Sequence, residues 1–275
     1  MDMDKVNNEV SRLLKIMETL RGPNGSPWDR KQDYQSLQPY IIEEAYEVIE
    51  AIQMEDLSSL KEELGDLLLQ VVFQAQLGRE NGDFDFADIV YTINEKLLRR
   101  HPHVFNNLEA NSVEDVRVVW DKIKKEEKIN KGYKIDEEKS ILDDINGSQP
   151  ALNQAYEIQK RAAEIGFDWN DIADVIGKVK EELEELEEAM SNGNEIESKK
   201  ELGDLLFSVV NLSRFLNIHP ELALFSSNLK FKQRFKFIEN SILEDGKNIE
   251  DLKLAELDYY WEKAKEIEKQ GEEIL

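Results

Sequence analysis

The chain contains one stretch of sequence twice, and this repeat constrains its fold more than any other feature. KEELGDLLLQVVF begins at Lys61 and KKELGDLLFSVVN begins at Lys199, so that Asp66 and Asp204 lie 138 positions apart. Basic and tryptophan positions recur at similar spacing: Lys96, Arg100 and Trp120 return as Lys230, Arg234 and Trp261, after 134, 134 and 141 positions. Offsets that differ only by the length of a loop indicate two copies of a domain of about 130 residues.

The apolar residues recur at helical spacing rather than in the alternation of strands. In IIEEAYEVIEAI one stripe contains Ile41, Ala45, Val48, Ile49 and Ile52, which is typical of an amphipathic helix. We therefore expect an all-α fold of two tandem helical bundles, with domains over residues 1–128 and 151–275. A polar linker over residues 129–150 joins them, and its SILDDI stretch is expected to dock on a neighbouring domain.

Charge and composition exclude several classes of protein. A net charge of −24 argues against binding to nucleic acid or to anionic lipid, because both carry negative phosphates. The absence of cysteine excludes disulfides and thiolate chemistry. The chain has no apolar run of about 18 residues, and its first residues lack the apolar core of a signal peptide. We expect a cytoplasmic protein that binds neither nucleic acid nor membrane.

Each copy carries two carboxylate pairs in equivalent places. They are Glu44, Glu47, Glu63 and Asp66 in the first copy (the first cluster) and Glu182, Glu185, Glu201 and Asp204 in the second (the second cluster). Residues three apart lie on one side of a helix. Breaks at 54–58 and 191–194 allow the two helices of each copy to fold back antiparallel, so that four carboxylates converge.

The second helix of each copy predicts that these carboxylates bind a cation. In the first copy it contains the apolar residues Leu64, Leu67, Leu68, Val71 and Val72, and is expected to be largely buried. Buried like charges cost several kcal/mol unless they are compensated, and oxygen ligands favour Mg²⁺ or Mn²⁺. Gly65 and Gly203 are expected to permit close helix packing or approach of a ligand. Carboxylates of this kind are often only solvated, but their recurrence in both copies favours a metal site.

Basic and aromatic residues in the second copy suggest a phosphate ligand. Mg²⁺ usually keeps waters and bridges to substrate phosphates, and the cationic and aromatic residues are Lys178, Lys230, Arg234, Trp261 and Lys265. Lysine and arginine neutralise a polyphosphate, and tryptophan stacks on a base. Each also has a simpler interpretation, as core or exposed charge. Together they favour nucleotide binding.

Several segments resemble the MazG family, nucleoside triphosphate pyrophosphohydrolases of the all-α NTP pyrophosphatase superfamily. They are PWDRKQDYQSLQPYIIEEAYEVIEAI, KEELGDLLLQVVF and RRHPHVF in the first half and QKRAAEIGFDW, KEELEE and KKELGDLLFSVVN in the second. The resemblance covers nearly the whole chain. It implies Mg²⁺-dependent hydrolysis of NTPs or dNTPs between the α and β phosphates, giving a nucleoside monophosphate and pyrophosphate. It also implies a homodimer whose helical bundles are completed across the interface.

The resemblance assigns roles to individual residues. The second cluster becomes the set of Mg²⁺ ligands, Lys178, Lys230 and Arg234 become triphosphate contacts, and Trp261 stacks on the base. Glu181, or another carboxylate of the group such as Glu182 or Glu185, orients or deprotonates the attacking water. A further lysine of some relatives falls on Glu197, where Lys199 or Lys200 is expected to substitute.

The second copy is favoured as the catalytic one, because Tyr40 occupies the position of Lys178 in the first. Whether the first copy is active, regulatory or vestigial is left open. The three histidines have no counterparts in the repeat and are expected to be capping or structural. The alternative function is an acidic helical scaffold for a basic partner, with structural or vestigial metal sites.

Overall fold

The computed structural model describes residues 2–106, 112–130, 140–143 and 145–269. All regular structure in these ranges is helical, which confirms the all-α prediction. The chain forms two compact units that divide after residue 135. The division falls within the segment predicted as the linker, and the exact domain limits stay a prediction.

The first unit is built around a helical hairpin. Its helices are α1 (Met3–Arg21), α2 (Gln38–Gln53), α3 (Leu57–Asn81), α4 (Phe86–Arg100), α5 (Pro102–Phe105) and α6 (Val113–Asn130), with a 3₁₀ turn at Asp29–Lys31. Helices α2 and α3 form the hairpin, α1 packs against α3, and α4 contacts α3 and α6. Its core contains Met17, Leu37, Val72, Phe73 and Leu77.

The second unit repeats this plan. Its helices are α7 (Ala151–Glu164), α8 (Ile172–Ser191), α9 (Glu195–Phe215), α10 (Pro220–Glu244) and α11 (Leu254–Lys269), with a 3₁₀ turn at Ile249–Asp251. Helices α8 and α9 form the hairpin, α7 packs against α9, and α10 packs against α11. A core cluster of Ile238, Ile242 and Tyr260 lies between α10 and α11. Two histidines lie at helix ends: His101 is the C-cap residue after α4, and His219 is the N-cap residue before α10.

The two hairpins turn in the same way, as the predicted breaks require. Asp56 caps α3 by accepting from Ser58 N at 2.9 Å, and Asn194 caps α9 by accepting from Glu197 N at 3.2 Å. One position in each turn is left-handed: Gly193 has φ +65° and its counterpart Glu55 has φ +55°. The turns bring the carboxylates of adjacent helices face to face.

Burial of the second hairpin helix is one-sided, so the prediction that it is largely buried is wrong for part of its surface. In α3, Val72 is 1% exposed, but Leu64, Leu68 and Val71 are 49%, 41% and 38% exposed. The counterparts in α9, Leu202, Leu206 and Val209, are 48%, 53% and 45% exposed. The described helices of each unit pack on one side of this helix only. We call these two equivalent surfaces the α3 strip and the α9 strip.

The predicted role of Gly65 and Gly203 in helix packing is also not supported. A Cβ atom at either position would meet no atom within 4 Å in the described part of the chain. A second helix therefore does not approach closely enough to require a glycine at either position. Access for a ligand at these positions stays a prediction.

Candidate metal and nucleotide site

The second cluster is assembled by the α8–α9 hairpin. Carboxylate oxygens of Glu182, Glu201 and Asp204 lie within 4.8 Å of one another, and so do those of Glu181, Glu182 and Glu185. Glu182 belongs to both groups and is only 6% exposed. The structure thus brings three of the predicted ligands, Glu182, Glu201 and Asp204, into one group, and it places the fourth, Glu185, in the group with Glu181 and Glu182. Such a set of carboxylate oxygens suits a hard divalent cation.

The electrostatics of the second cluster favour a bound cation. Burial raises the pKa of Glu201, and the negative charges of Glu185, Glu197 and Asp204 raise it further. These carboxylates are therefore destabilised by one another in their charged form. A divalent cation among them would relieve the repulsion.

Lys178 is the internal counter-charge of this site. Its Nζ lies 2.7 Å from an oxygen of Glu181 and 2.6 Å from Glu182 Oε1. The hydrogen bonds to Glu181 and Glu182 hold the pKa of Lys178 well above its ordinary range. Lys178 therefore stays charged, and its ammonium group pairs with a carboxylate oxygen of Glu182, a predicted metal ligand.

The first cluster has the same carboxylates without the lysine. Oxygens of Glu44, Glu47 and Glu63 lie within 4.8 Å of one another. Burial raises the pKa of Glu44, and the charge of Asp66 raises it further. Gln70 Nε2 donates to Glu44 Oε1 at 3.4 Å, whereas the Tyr40 ring packs edge-on to Trp28 at 5.9 Å. The difference that the sequence predicted at position 40 is thus a loss of positive charge.

A cavity of about 600 Å³ adjoins the second cluster, and sequence reasoning did not find it. Lys178, Glu182 and Asp204 line one part, and Ile158, Phe167, Trp169, Val175 and Phe207 give it an apolar part. This volume falls in the ordinary range for small-molecule sites. Its walls come from α7, α8, α9, the loop between α7 and α8, and Leu142 ahead of α7, so short-range spacing in the sequence does not reveal it.

The loop that carries Phe167 and Trp169 is fixed by an ion pair. Arg214 Nη1 lies 3.0 Å from Asp168 Oδ2, and its Nη2 bonds to the other oxygen of that carboxylate. Arg214 Nε also donates to Asn211 at 3.1 Å. These contacts tie the loop to the end of α9. Asp168 lies within the GFDW segment, which was the available sequence signal for this wall.

A buried amide in the same wall has spare hydrogen-bonding capacity. Gln159 is 8% exposed, and its Nε2 donates to the Phe207 carbonyl at 2.8 Å. This bond fixes the orientation of the amide. Its Oε1 is buried without a partner among the described residues.

The remaining predicted substrate contacts form a separate group on α10 and α11. Arg234 Nε bonds to Glu268 at 3.0 Å, and its guanidinium lies 5.3 Å from the centre of the Trp261 ring. Lys265 pairs with Glu262 at 2.7 Å. Among the described residues that line the cavity, neither Lys230, Arg234, Trp261 nor Lys265 is found.

The first copy contains the counterpart of the Arg234–Glu268 pair. Arg100 Nη2 lies 2.6 Å from an oxygen of Glu127, and these residues precede Arg234 and Glu268 by 134 and 141 positions. Recurrence in both copies indicates that this pair joins helices. Arg234 therefore has a structural partner, whatever ligand it contacts.

Comparison with known proteins identifies relatives along almost the whole chain. The sequence profile of the MazG nucleotide pyrophosphohydrolase domain matches residues 32–105 and 171–236. The nucleoside triphosphate pyrophosphohydrolase/pyrophosphatase MazG of Thermotoga maritima is 51% identical over 253 residues, 92% of this chain and 94% of that protein. The nucleoside triphosphate pyrophosphohydrolase of Escherichia coli K12 is 44% identical over 264 residues, 95% of this chain and 98% of that protein.

A solved structure is also similar to part of the chain. The crystal structure of a mazG-related protein from Thermotoga maritima covers 42% of this chain and 98% of its own, with 31% identity and a TM-score of 0.37. As for membranes, none of the helices searched in the described ranges combines the length and apolarity needed for a span.

Proposed function

This chain belongs to the MazG nucleotide pyrophosphohydrolase family and is a nucleoside triphosphate pyrophosphohydrolase, and we propose that its active centre is the second cluster with the adjoining cavity. The observation that carries this assignment is the cavity wall. Lys178, Glu182 and Asp204 share one cavity with aromatic side chains. Groups that hold a metal–triphosphate therefore adjoin groups that suit a nucleoside.

The proposed metal is Mg²⁺, or Mn²⁺, held by Glu182, Glu185, Glu201 and Asp204. The buried position of Glu182 and the mutual repulsion at Glu201 support this fit. When bound, the ion supplies charge neutralisation at the phosphates and lowers the pKa of a bound water.

The protein's own residues then position the reactants. We assign Glu181 to hold and deprotonate the attacking water, with Glu182 and Glu185 as the neighbouring carboxylates. Lys178 moves from Glu181 to the triphosphate, which leaves Glu181 free to take the proton. The water oxygen bonds to the α-phosphorus, the bond to the α,β-bridging oxygen breaks, and pyrophosphate leaves with that oxygen.

Pyrophosphate release from a panel of NTPs and dNTPs with Mg²⁺ tests this assignment. Loss of groups that merely support a metal ligand costs 10- to 100-fold, so Glu182→Gln and Asp204→Asn should each lose about 100-fold or more. Glu187→Gln, an exposed carboxylate on α8 outside the second cluster, is the matched control. Full activity in the Glu182 and Asp204 variants would contradict the proposal. A scaffold would instead bind a partner without Mg²⁺ and turn over no nucleotide.

The residues on α10 and α11 enter the proposal through a homodimer. The α3 and α9 strips leave the same apolar positions exposed in each copy, and such surfaces commonly mark interfaces. We propose that a second chain of the homodimer covers them. That chain would bring its residues on α10 and α11 to the substrate, namely Lys230, Arg234, Trp261 and Lys265. The predicted location in the cytoplasm stays a prediction.

Mixing two impaired variants tests the shared site. Homodimers of Glu182→Gln and of Lys230→Ala should both have low hydrolytic activity. Subunit exchange between them should restore activity if the two groups come from different chains. If activity does not recover after subunit exchange has been demonstrated, the two groups belong to the same chain. A monomeric mass in solution would contradict the proposed homodimer.

The role of the first copy is tested by paired substitution. The hydrolytic activity of the double variant Glu44→Gln/Glu47→Gln is compared with that of the double variant Glu182→Gln/Glu185→Gln. We propose that the first copy is regulatory or vestigial, so only the second pair should abolish hydrolysis. Equal loss in both would argue against specialised copies.

A further inference from the structure

Residues 140–143, which belong to the segment between the two sequence copies, form a turn ahead of α7. Ser140 N donates to Asp143 Oδ2 at 3.1 Å, and Leu142 N donates to Ser140 Oγ at 3.2 Å. Two backbone bonds close the turn, from Asp143 N to Ser140 O and from Ile145 N to Leu142 O, each at 3.1 Å. Local polar groups therefore fix the conformation of the turn that carries Leu142.

Leu142 lies in the wall of the cavity that adjoins the second cluster. Among the described residues that line this cavity, Leu142 alone precedes α7, and the others belong to α7, α8, α9 and the α7–α8 loop. Its side chain is still 37% exposed. It is therefore an apolar wall residue with surface left for a ligand to cover.

We propose that Leu142 contacts the nucleoside of the bound triphosphate and limits the size of the base that the cavity accepts. This inference rests on the proposed function, because it requires the substrate to occupy the cavity. The phosphates are held near Lys178, Glu182 and Asp204, so the apolar part receives the ring. A leucine on a separate turn can alter that part without disturbing the carboxylates.

Replacing Leu142 by a smaller and by a larger residue gives two different expectations. Leu142→Ala removes apolar contact and should raise KM for all substrates about 10-fold, with kcat within about 2-fold. Leu142→Phe narrows the cavity and should lower kcat/KM for ATP and GTP about 10-fold more than for CTP and UTP. A residue that only supported the fold would lower both classes alike.

The neighbouring residue provides the matched control. Ile141 is 45% exposed and is absent from the described lining of the cavity. Ile141→Ala and Ile141→Phe should leave both KM and the purine-to-pyrimidine ratio unchanged. Thermal unfolding of all four variants reports on the fold.

Binding of α,β-methylene ATP and α,β-methylene CTP, measured by calorimetry with Mg²⁺, tests the role of Leu142 separately from the proposed hydrolysis. If the wild type hydrolyses nothing but Leu142→Phe loses the ATP analogue selectively, the inference holds and the proposed chemistry fails. If the wild type is active and the Leu142 variants match the Ile141 variants, only this inference is overturned. Failure of the wild type to bind either analogue overturns it as well.

Discussion

A single lysine distinguishes the two carboxylate clusters at the level of residues. Lys178 bonds to both Glu181 and Glu182, and Tyr40 takes its place in the first copy. In the absence of substrate, the lysine neutralises carboxylates that would otherwise attract a cation more strongly. With substrate bound as proposed, the same charge would be available to the phosphates. Lys178 should therefore oppose binding of free metal and favour binding of nucleotide.

Lys178→Met is expected to change these two affinities in opposite directions. Affinity for Mg²⁺ alone should rise several-fold, and affinity for Mg²⁺–nucleotide should fall about 10-fold, the effect of losing one charged contact. Calorimetry with the metal alone and with a non-hydrolysable nucleotide measures both. Lys180→Met, an exposed lysine on the same helix, should change neither. A parallel fall in both affinities would show that Lys178 only maintains the site's structure.

Sequence spacing predicted that the carboxylates of the second cluster would lie close together, but it did not predict the cavity beside them. Glu182 and Glu185, like Glu201 and Asp204, are three residues apart, and helix geometry alone places such pairs together. The wall depends on contacts between distant positions, such as Arg214 with Asp168 and Gln159 with Phe207. These depend on how α7 packs on α9, for which a single sequence gives no spacing rule. The one-sided exposure of α3 and α9 was missed for the same reason.

The helices themselves depend on their ends and on pairs that join them. The hairpin turns need a left-handed residue at position 55 and at position 193, and the last helices of each unit are joined by an Arg–Glu pair. Both features recur in the two copies. Each therefore offers an internal comparison.

Gly193→Ala should destabilise the second unit by about 1–2 kcal/mol, because an alanine at positive φ is strained. No atom lies within 4 Å of a Cβ added there, so the cost reports the backbone alone. Glu55→Gly should conversely stabilise the first unit by up to about 1 kcal/mol. Thermal or urea unfolding measures both changes.

Gly177→Ala is the control for these turn substitutions. Gly177 lies within α8, has no positive φ, and leaves open space for a Cβ. The Gly177→Ala variant should be more stable than the wild type by up to about 1 kcal/mol, because alanine has a higher helix propensity than glycine. Loss of stability at both glycines would show that the turn conformation is not the cause.

The Arg–Glu pair of the first unit predicts a dependence of stability on pH. Hydrogen bonds from Arg100 and Arg99 lower the pKa of Glu127 from its ordinary value of 4.5 to about 2. Between these values the unfolded chain binds more protons, so the stabilisation is complete above pH 4.5 and is lost as the pH falls towards 2.

Glu127→Gln should remove this component and cost the first unit about 2 kcal/mol at pH 7. Urea unfolding from pH 7 to about pH 2 measures it, and the gap between variant and wild type should narrow below pH 4.5 and become small near pH 2. Glu126→Gln, at an exposed neighbour, should follow the wild type throughout. A gap between Glu127→Gln and wild type that stays constant with pH would contradict the mechanism.

At the scale of the whole molecule, an anionic substrate must approach a protein with a net charge of −24. Such a surface repels a triphosphate at long range. With the proposed cation in the second cluster, productive binding would depend on that cation and on the few lysines and arginines near it. Duplication doubles the number of clusters without supplying a second Lys178.

Chelation should therefore abolish nucleotide binding rather than only hydrolysis. With EDTA in excess, affinity for a non-hydrolysable triphosphate should fall about 100-fold or more, and added Mg²⁺ should restore it. Equilibrium binding measures the effect, and circular dichroism checks that the helices persist. Retained affinity without metal would mean that basic residues alone hold the phosphates.

The replacement of Lys178 by Tyr40 also sets the order in which the two clusters fill when metal is scarce. A cation entering the first cluster displaces no ammonium group, whereas one entering the second competes with Lys178 for Glu182. Scarce metal would then be sequestered by the copy that we propose does not hydrolyse substrate. Activity plotted against bound metal would show a lag, so that one chain acts as its own metal buffer.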